Sequence, residues 1–250
     1  MARFKYSGRI PPGSLRHDPT LLAGGEIIAP TIITPPNPAW GKVGQYGATV
    51  VGASPPRYDP SGDCGGSFMS FKNQTNNNCY AYGVDIASNS FSQPGRASAG
   101  STPWSMKMTA DSVAANAVLD GLVLLPQKTI ADLIDKSGHV QGSAGHFVAL
   151  VFSPPEKSFT GDPNAHWGGD YHWVRADAVD TKSKIILWSQ KDGGDQVTNF
   201  DFAGKPISDP AAACWEVNQG AVSSSDPNDM IISYVFHAYM WVPSSGVKIL

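Results

Sequence analysis

Two apolar runs four residues apart constrain this chain most. YHWVRADAV (171–179) and KIILWSQ (184–190) are rich in β-branched and aromatic residues, and DTKS (180–183) is short enough to close them as an antiparallel hairpin. Closure through that link makes paired numbers sum to about 363. Gln190 then stands opposite about residue 173, beside His172 and within side-chain reach of it.

Other stretches fit around this hairpin. FVALVF (147–152) is a short, fully apolar strand, Gln196 to Phe200 is a further strand candidate, and IISYVFHAYMWV (231–242) reads as one long central strand. Before them come three helical stretches. Asn78 is a good N-cap for a helix over about Cys79 to Asn89, with Cys79, Tyr82 and Ile86 on one face and Gly83 weakening it. Thr109 caps a second, with Asp111 in its first turn, Val113, Ala114, Ala117 and Val118 as its buried stripe, and Gly121 as its stop. A third runs from about Thr129 to Lys136, with Ile130, Leu133 and Ile134 inward. SQPGRASAGSTP (92–103) is a loop.

Residues 1–65 are different. Prolines break their short apolar runs, EIIAPTIIT (26–34) and ATVVG (48–52), so they read as an extended N-terminal arm beside a domain over 66–250. The order is arm, helices, antiparallel sheet, which is an α+β arrangement. With 250 residues the chain can bury a sizeable core. Charged residues make up only 16% and Gly 26 and Pro 20 run high, which favours turns and short strands over long surface helices.

A net charge of -3 without a basic tract gives nucleic acid no electrostatic handle. No apolar run reaches the roughly 18–20 residues that span a bilayer. MARFKYSGRIPPGS lacks the apolar segment of a signal peptide, so the expectation is a cytoplasmic protein, or one exported without a cleavable signal. The three cysteines, Cys64, Cys79 and Cys214, show neither a CxxC nor zinc spacing, so no disulfide framework, metal or cofactor is expected.

Cys79 carries the sharpest chemical question. A cysteine in the first turn of a helix sits among unpaired N–H groups and partial positive charge, which favour a thiolate and can hold an oxyanion. The plainer reading is a small buried apolar residue. A nucleophilic thiol also needs a base. His172, in GGDYHWVR, is the best placed. His146 and His166 are further candidates, His237 sits among apolar strand residues, and His17 and His139 have nothing suggestive nearby. Gln190 would orient the imidazole, with Asp192, Asn199 and Asp201 as alternatives. Trp173 and Trp188 would flank such a site or pack in the core. GDPNAHWGGD (161–170) and CGGS (64–67) read as loops.

A cysteine at a helix N-terminus, a histidine on one strand and a polar amide on the next, in that order, resembles the papain-like cysteine hydrolases, including the papain-type peptidases and the NlpC/P60 and CHAP amidases. IILWSQKDGG is similar to the papain-type strand that ends in the orienting residue. The resemblance implies a papain-like α+β fold, helices packed on an antiparallel sheet, with Cys79 as nucleophile, His172 as base and Gln190 as orienting residue. It also implies Gln74, five residues before Cys79, as an oxyanion donor. NNNCYAYGVDIASNSFSQPGR, GDYHWVRAD, LWSQKDGG and PISDP are also similar to an uncharacterised bacterial family with NCY(A/D)Y, DYHWYR and WSHKPG segments, over about 73–210. This chain departs from that family in having Gln190 where a histidine is expected. Glutamine can orient a base but cannot stabilise imidazolium by charge.

Two functions follow as expectations. One is a cysteine-dependent peptidase or amidase acting on a protein, peptide or peptidoglycan stem, with acyl transfer as a variant and a bacterial effector setting by analogy. The other is a catalytically silent binding or structural module, in which the arm serves assembly.

Overall fold

The computed structural model describes residues 68, 74–99, 108–134, 144–155, 167–194, 197–221 and 229–250. The arm expected over 1–65, Cys64, His17, His139 and His166 lie outside these residues.

The elements in chain order are a 3-10 turn at Gln74–Asn76, α1 (Cys79–Gly83), α2 (Arg96–Ala99), α3 (Ala110–Leu119), β1 (Val123–Leu124) and α4 (Ile130–Leu133). Then come β2 (Gly145–Ser153), β3 (Asp170–Asp180), β4 (Ile185–Lys191), β5 (Val197–Thr198), β6 (Glu216–Ala221), β7 (Asp229–Ser233) and β8 (Val235–Pro243). Six strands form one antiparallel sheet in the order β1-β8-β2-β3-β4-β5, and β6 and β7 form a separate ribbon.

The papain-like α+β expectation is corrected here. Strands take 36% of the described chain and helices 19%, and the antiparallel sheet curls into a half-barrel that the few helices only supplement. The physical reason is visible in α1. Asn78 does cap it, its side chain accepting the Ala81 N–H at 3.1 Å, but the helix lasts five residues. Gly83 lies so close to β3 that an added Cβ would stand 3.1 Å from Cβ of Trp173. The chain then turns away through Asp85, Asn89 and Phe91, all at positive φ, where no helix continues. α3 matches its expected bounds, with a reciprocal Thr109–Ser112 capping box, although Val118 is exposed and not part of the buried stripe.

The hairpin forms with one difference. Val174, not residue 173, pairs with Gln190: the turn closes through 181–184, so paired numbers sum to 365 beside it, and the extra residue Asp177 between Ala176 and Ala178 brings the sum back to 364. The run 231–242 is not one strand. It breaks at Tyr234, whose N–H bonds to Trp215 O at 2.9 Å, so 229–233 joins β6 and 235–243 joins the main sheet.

Alternation divides the core between the two faces of the sheet. Phe147, Ala149 and Val151 of β2 face a cluster that includes Val174, Ile186, Trp188, Ile207, Trp215, Ile232 and Tyr234. Val148, Leu150 and Phe152 face the other, with Tyr171, Trp173, Met240 and the α1 and α3 residues Cys79, Tyr80, Val113, Ala114 and Ala117.

Candidate functional site

Cys79 is the first residue of α1 and is buried against β3. Its Sγ stands 3.8 Å from the carbonyl oxygen of Tyr171, to which the thiol donates, and it accepts from the backbone N–H of Trp173. β4 pairs with β3 only from Val174 onward, so the thiol binds main-chain groups of β3 just past the end of that ladder. Burial pushes the thiol far above its ordinary value. The carboxylates of Asp170 and Asp192 push the same way, and the Trp173 N–H and Lys191 offset them only in part. The thiol is therefore protonated at neutral pH.

His172 lies on β3 between these two main-chain partners of the thiol. In the register of β2 and β3, Val151 pairs with His172 while Leu150 pairs with Trp173 and Phe152 with Tyr171. Paired residues share a face. His172 therefore shares the face of Val151, against Phe202 and Trp215, with ring centroids 5.6 and 5.7 Å away. Cys79 shares the opposite face with Leu150, Tyr171 and Trp173. The thiol itself meets the β3 main chain on either side of His172, at Tyr171 O and Trp173 N–H.

His172 and Gln190 are brought together: His172 Nε2 is 3.0 Å from Gln190 Oε1, and Gln190 Nε2 donates to Phe200 O at 3.0 Å. The amide thus fixes Nε2 of the ring as the protonated nitrogen. Burial lowers the imidazole pKa, and the Asp192 charge and the Gln190 hydrogen bond raise it by less, so the ring is neutral at pH 7. Gln74 is buried in the 3-10 turn. Its carbonyl accepts Lys191 Nζ at 2.6 Å, and its Oε1 is buried without a hydrogen-bond partner among the described residues.

The other candidates have structural partners. His146 Nε2 meets Gly83 O at 2.7 Å. His237 on β8 faces Asp111 of α3 at 3.4 Å. Asp201 accepts the N–H groups of Ala203, Lys205 and Cys214, holding the loop after β5. Asn199 gives its carbonyl to Ile207 N–H. Trp173 and Trp188 are fully buried, on opposite faces.

Sequence reasoning missed the buried polar groups that surround these residues. Arg175 is buried and donates to Asp85 of the α1 loop and to Asp177, each at 2.9 Å, with its guanidinium 4.0 Å above the Tyr82 ring. Asp170 accepts from Tyr234 OH at 2.8 Å and from Tyr171 N–H at 2.6 Å. Asp120 accepts from Tyr80 OH, Gly95 N–H and Ser98 OH, at 2.9, 2.7 and 2.7 Å. A charge inside an otherwise apolar strand, as Arg175 is in YHWVRADAV, was the available signal, because a buried charge requires partners. Among the described residues no three His, Cys, Asp or Glu side chains gather as a metal site would, and no helix is long and apolar enough to cross a membrane.

No family model matches the chain, and no solved structure matches it. A curated protein does: insoluble matrix shell protein 1 of Ruditapes philippinarum is 31% identical over 142 residues, which are 56% of this chain and 72% of that protein.

Proposed function

This chain belongs to the family of insoluble matrix shell protein 1, and on that premise we propose that it is a catalytically silent structural protein that associates into an insoluble matrix. The observation that carries the reading is the buried, protonated Cys79 thiol bonded to the β3 main chain. A peptidase or amidase acting through this pair needs the imidazole within hydrogen-bond reach of a thiol it can deprotonate. Here burial keeps the thiol protonated and bonded to the β3 backbone, and the His172–Gln190 hydrogen bond engages only Nε2 of the ring. In this role Cys79 fills a small apolar space and ties α1 to β3, and His172 and Gln190 tie β3 to the loop after β5.

The experiment is centrifugal pelleting of the purified full chain across concentration, in parallel with Cys79→Ala and His172→Ala. The expected result is concentration-dependent pelleting of the parent that both variants retain. A parent that stays monomeric at every concentration contradicts the reading, as does loss of pelleting in folded Cys79→Ala.

A further inference from the structure

Residues 244–250 leave the sheet after β8 and lie in no strand or helix, yet they are seated. Ser244 N–H donates to Ala144 O at 2.9 Å, and Lys248 N–H donates to Asp120 O at 3.0 Å. Val247 and Ile249 turn inward and pack against the cluster that holds Cys79, while Lys248 and Leu250 stay exposed. The segment crosses the stop of α3 at main-chain contact, since a Cβ added to Gly121 would stand 3.1 Å from Gly246 O.

Its far end fastens a loop. Leu250 O accepts the Gln93 N–H at 3.1 Å and Arg96 Nε at 2.5 Å, and Arg96 Nη2 donates to Ser90 O and Phe91 O at 3.1 and 2.9 Å. Loop 90–96 is in turn tied to the groups around the thiol. Ser92 O accepts Nδ2 of Asn78, the cap of α1, at 2.7 Å, and Gln93 Oε1 accepts Tyr171 OH at 2.5 Å. Tyr171 O is the oxygen to which the Cys79 thiol donates. Asp120 completes the connection: its main-chain oxygen holds Lys248, and its carboxylate holds Gly95 N–H and Tyr80 OH.

Two features set this unit apart from the sheet. It is held by single ties, with no ladder, and its apolar anchors are two half-buried side chains, whereas β2 is buried along nearly its whole length. Segments held in this way open locally at lower cost than core strands. Ser244, Ser245 and Gly246 are all exposed, and Gly246 has a φ of 91 with nothing within 4 Å of an added Cβ, which suits a hinge.

We infer that residues 244–250 are a strap: seated, they clamp loop 90–96 over the start of α1 and shield the Cys79 thiol, and released at the Ser244–Gly246 hinge they let the loop open as one local unit while the main sheet stays folded. The strap governs access to the thiol and takes no part in assembly.

The test is iodoacetamide labelling of Cys79 in the full chain, at urea concentrations below the unfolding midpoint, with the half-buried Cys214 as internal reference. Val247→Asp puts a carboxylate into the apolar seat, and Arg96→Ala removes the clamp on the loop. Each should raise the Cys79 rate in the absence of urea by about tenfold or more, because the opening no longer has to break those contacts. That rate should depend on urea far less steeply than global unfolding does, since a local opening exposes little surface. Two results overturn the inference. One is a Cys79 rate that either folded variant shares with the parent. The other is a raised rate that follows urea as steeply as global unfolding, or that comes with an equal rise at Cys214. If Val247→Asp does not fold, Arg96→Ala decides by the same two results. A parent that never pellets sinks the structural reading and leaves the strap in place, and unchanged labelling sinks the strap and leaves the structural reading in place.

Discussion

At Asp170 a single carboxyl joins the start of β3 to Tyr234, where the last long apolar run breaks. Burial pushes this carboxyl up to about 8 from an ordinary 3.8, and the hydrogen bonds from Tyr234 and Tyr171 pull it back by less. An acid raised by folding keeps its proton where the unfolded chain has lost it. Its stabilising effect is complete below pH 3.8 and is lost as pH rises towards 8. His172, lowered by burial, acts in the opposite sense only below its ordinary 6.5, where the unfolded chain takes up a proton. Between pH 6.5 and 8, of these two, Asp170 alone acts. Stability should fall by about 1.4 kcal/mol per pH unit near pH 6.5, the slope easing to about half that as pH reaches 8. Denaturant unfolding of the parent and Asp170→Asn checks this: the variant should lose most of the slope, and an unchanged slope would remove Asp170 as its source. Arg175 gives a second prediction at this scale. Arg175→Met strands the fully buried Asp177 carboxyl and should cost about 3–5 kcal/mol, while Arg175→Met with Asp177→Leu should recover most of the loss.

Among the elements, α1 shows how a local signal and a tertiary contact divide the work. Asn78 as N-cap was readable from its side chain. The length of the helix was not, because it depends on how closely Gly83 approaches Trp173 and on a turn built from three positive-φ residues. Gly83→Val should overpack this contact and cost about 1–3 kcal/mol, measured by thermal melting. A neutral effect would mean that α1 stands further from β3. The hairpin was readable to within one residue: Asp180 pairs with Ile185, so the turn closes later than its sequence suggests, and the extra residue Asp177, held by Arg175, takes back one of the two residues of offset. β6 and β1 gave no periodic signal, being short or paired only within a small ribbon. The break at Tyr234 was hidden in a continuous run of strand-forming residues, since it is set by the partners Trp215 and Asp170 from elsewhere in the chain.

Over the whole molecule, the papain-like expectation fails on the fold, which is a curled antiparallel sheet with few helices. Order along a chain does not say which face of a strand a side chain takes, and a one-residue change moves it through the sheet. Gln190 reaches His172 as the hairpin expectation had it, because both sit on one face of neighbouring strands. Cys79 comes from a helix packed on the other face, and only the finished sheet reveals that.

The most direct measurement is the alkylation rate of Cys79 against pH in the folded chain, in the parent and in His172→Ala. The expected result is a thiol that stays unreactive until the chain is unfolded, with a profile that removal of His172 does not change. Rapid alkylation near neutral pH, slowed when His172 is removed, would contradict it and restore the pair as a catalytic site.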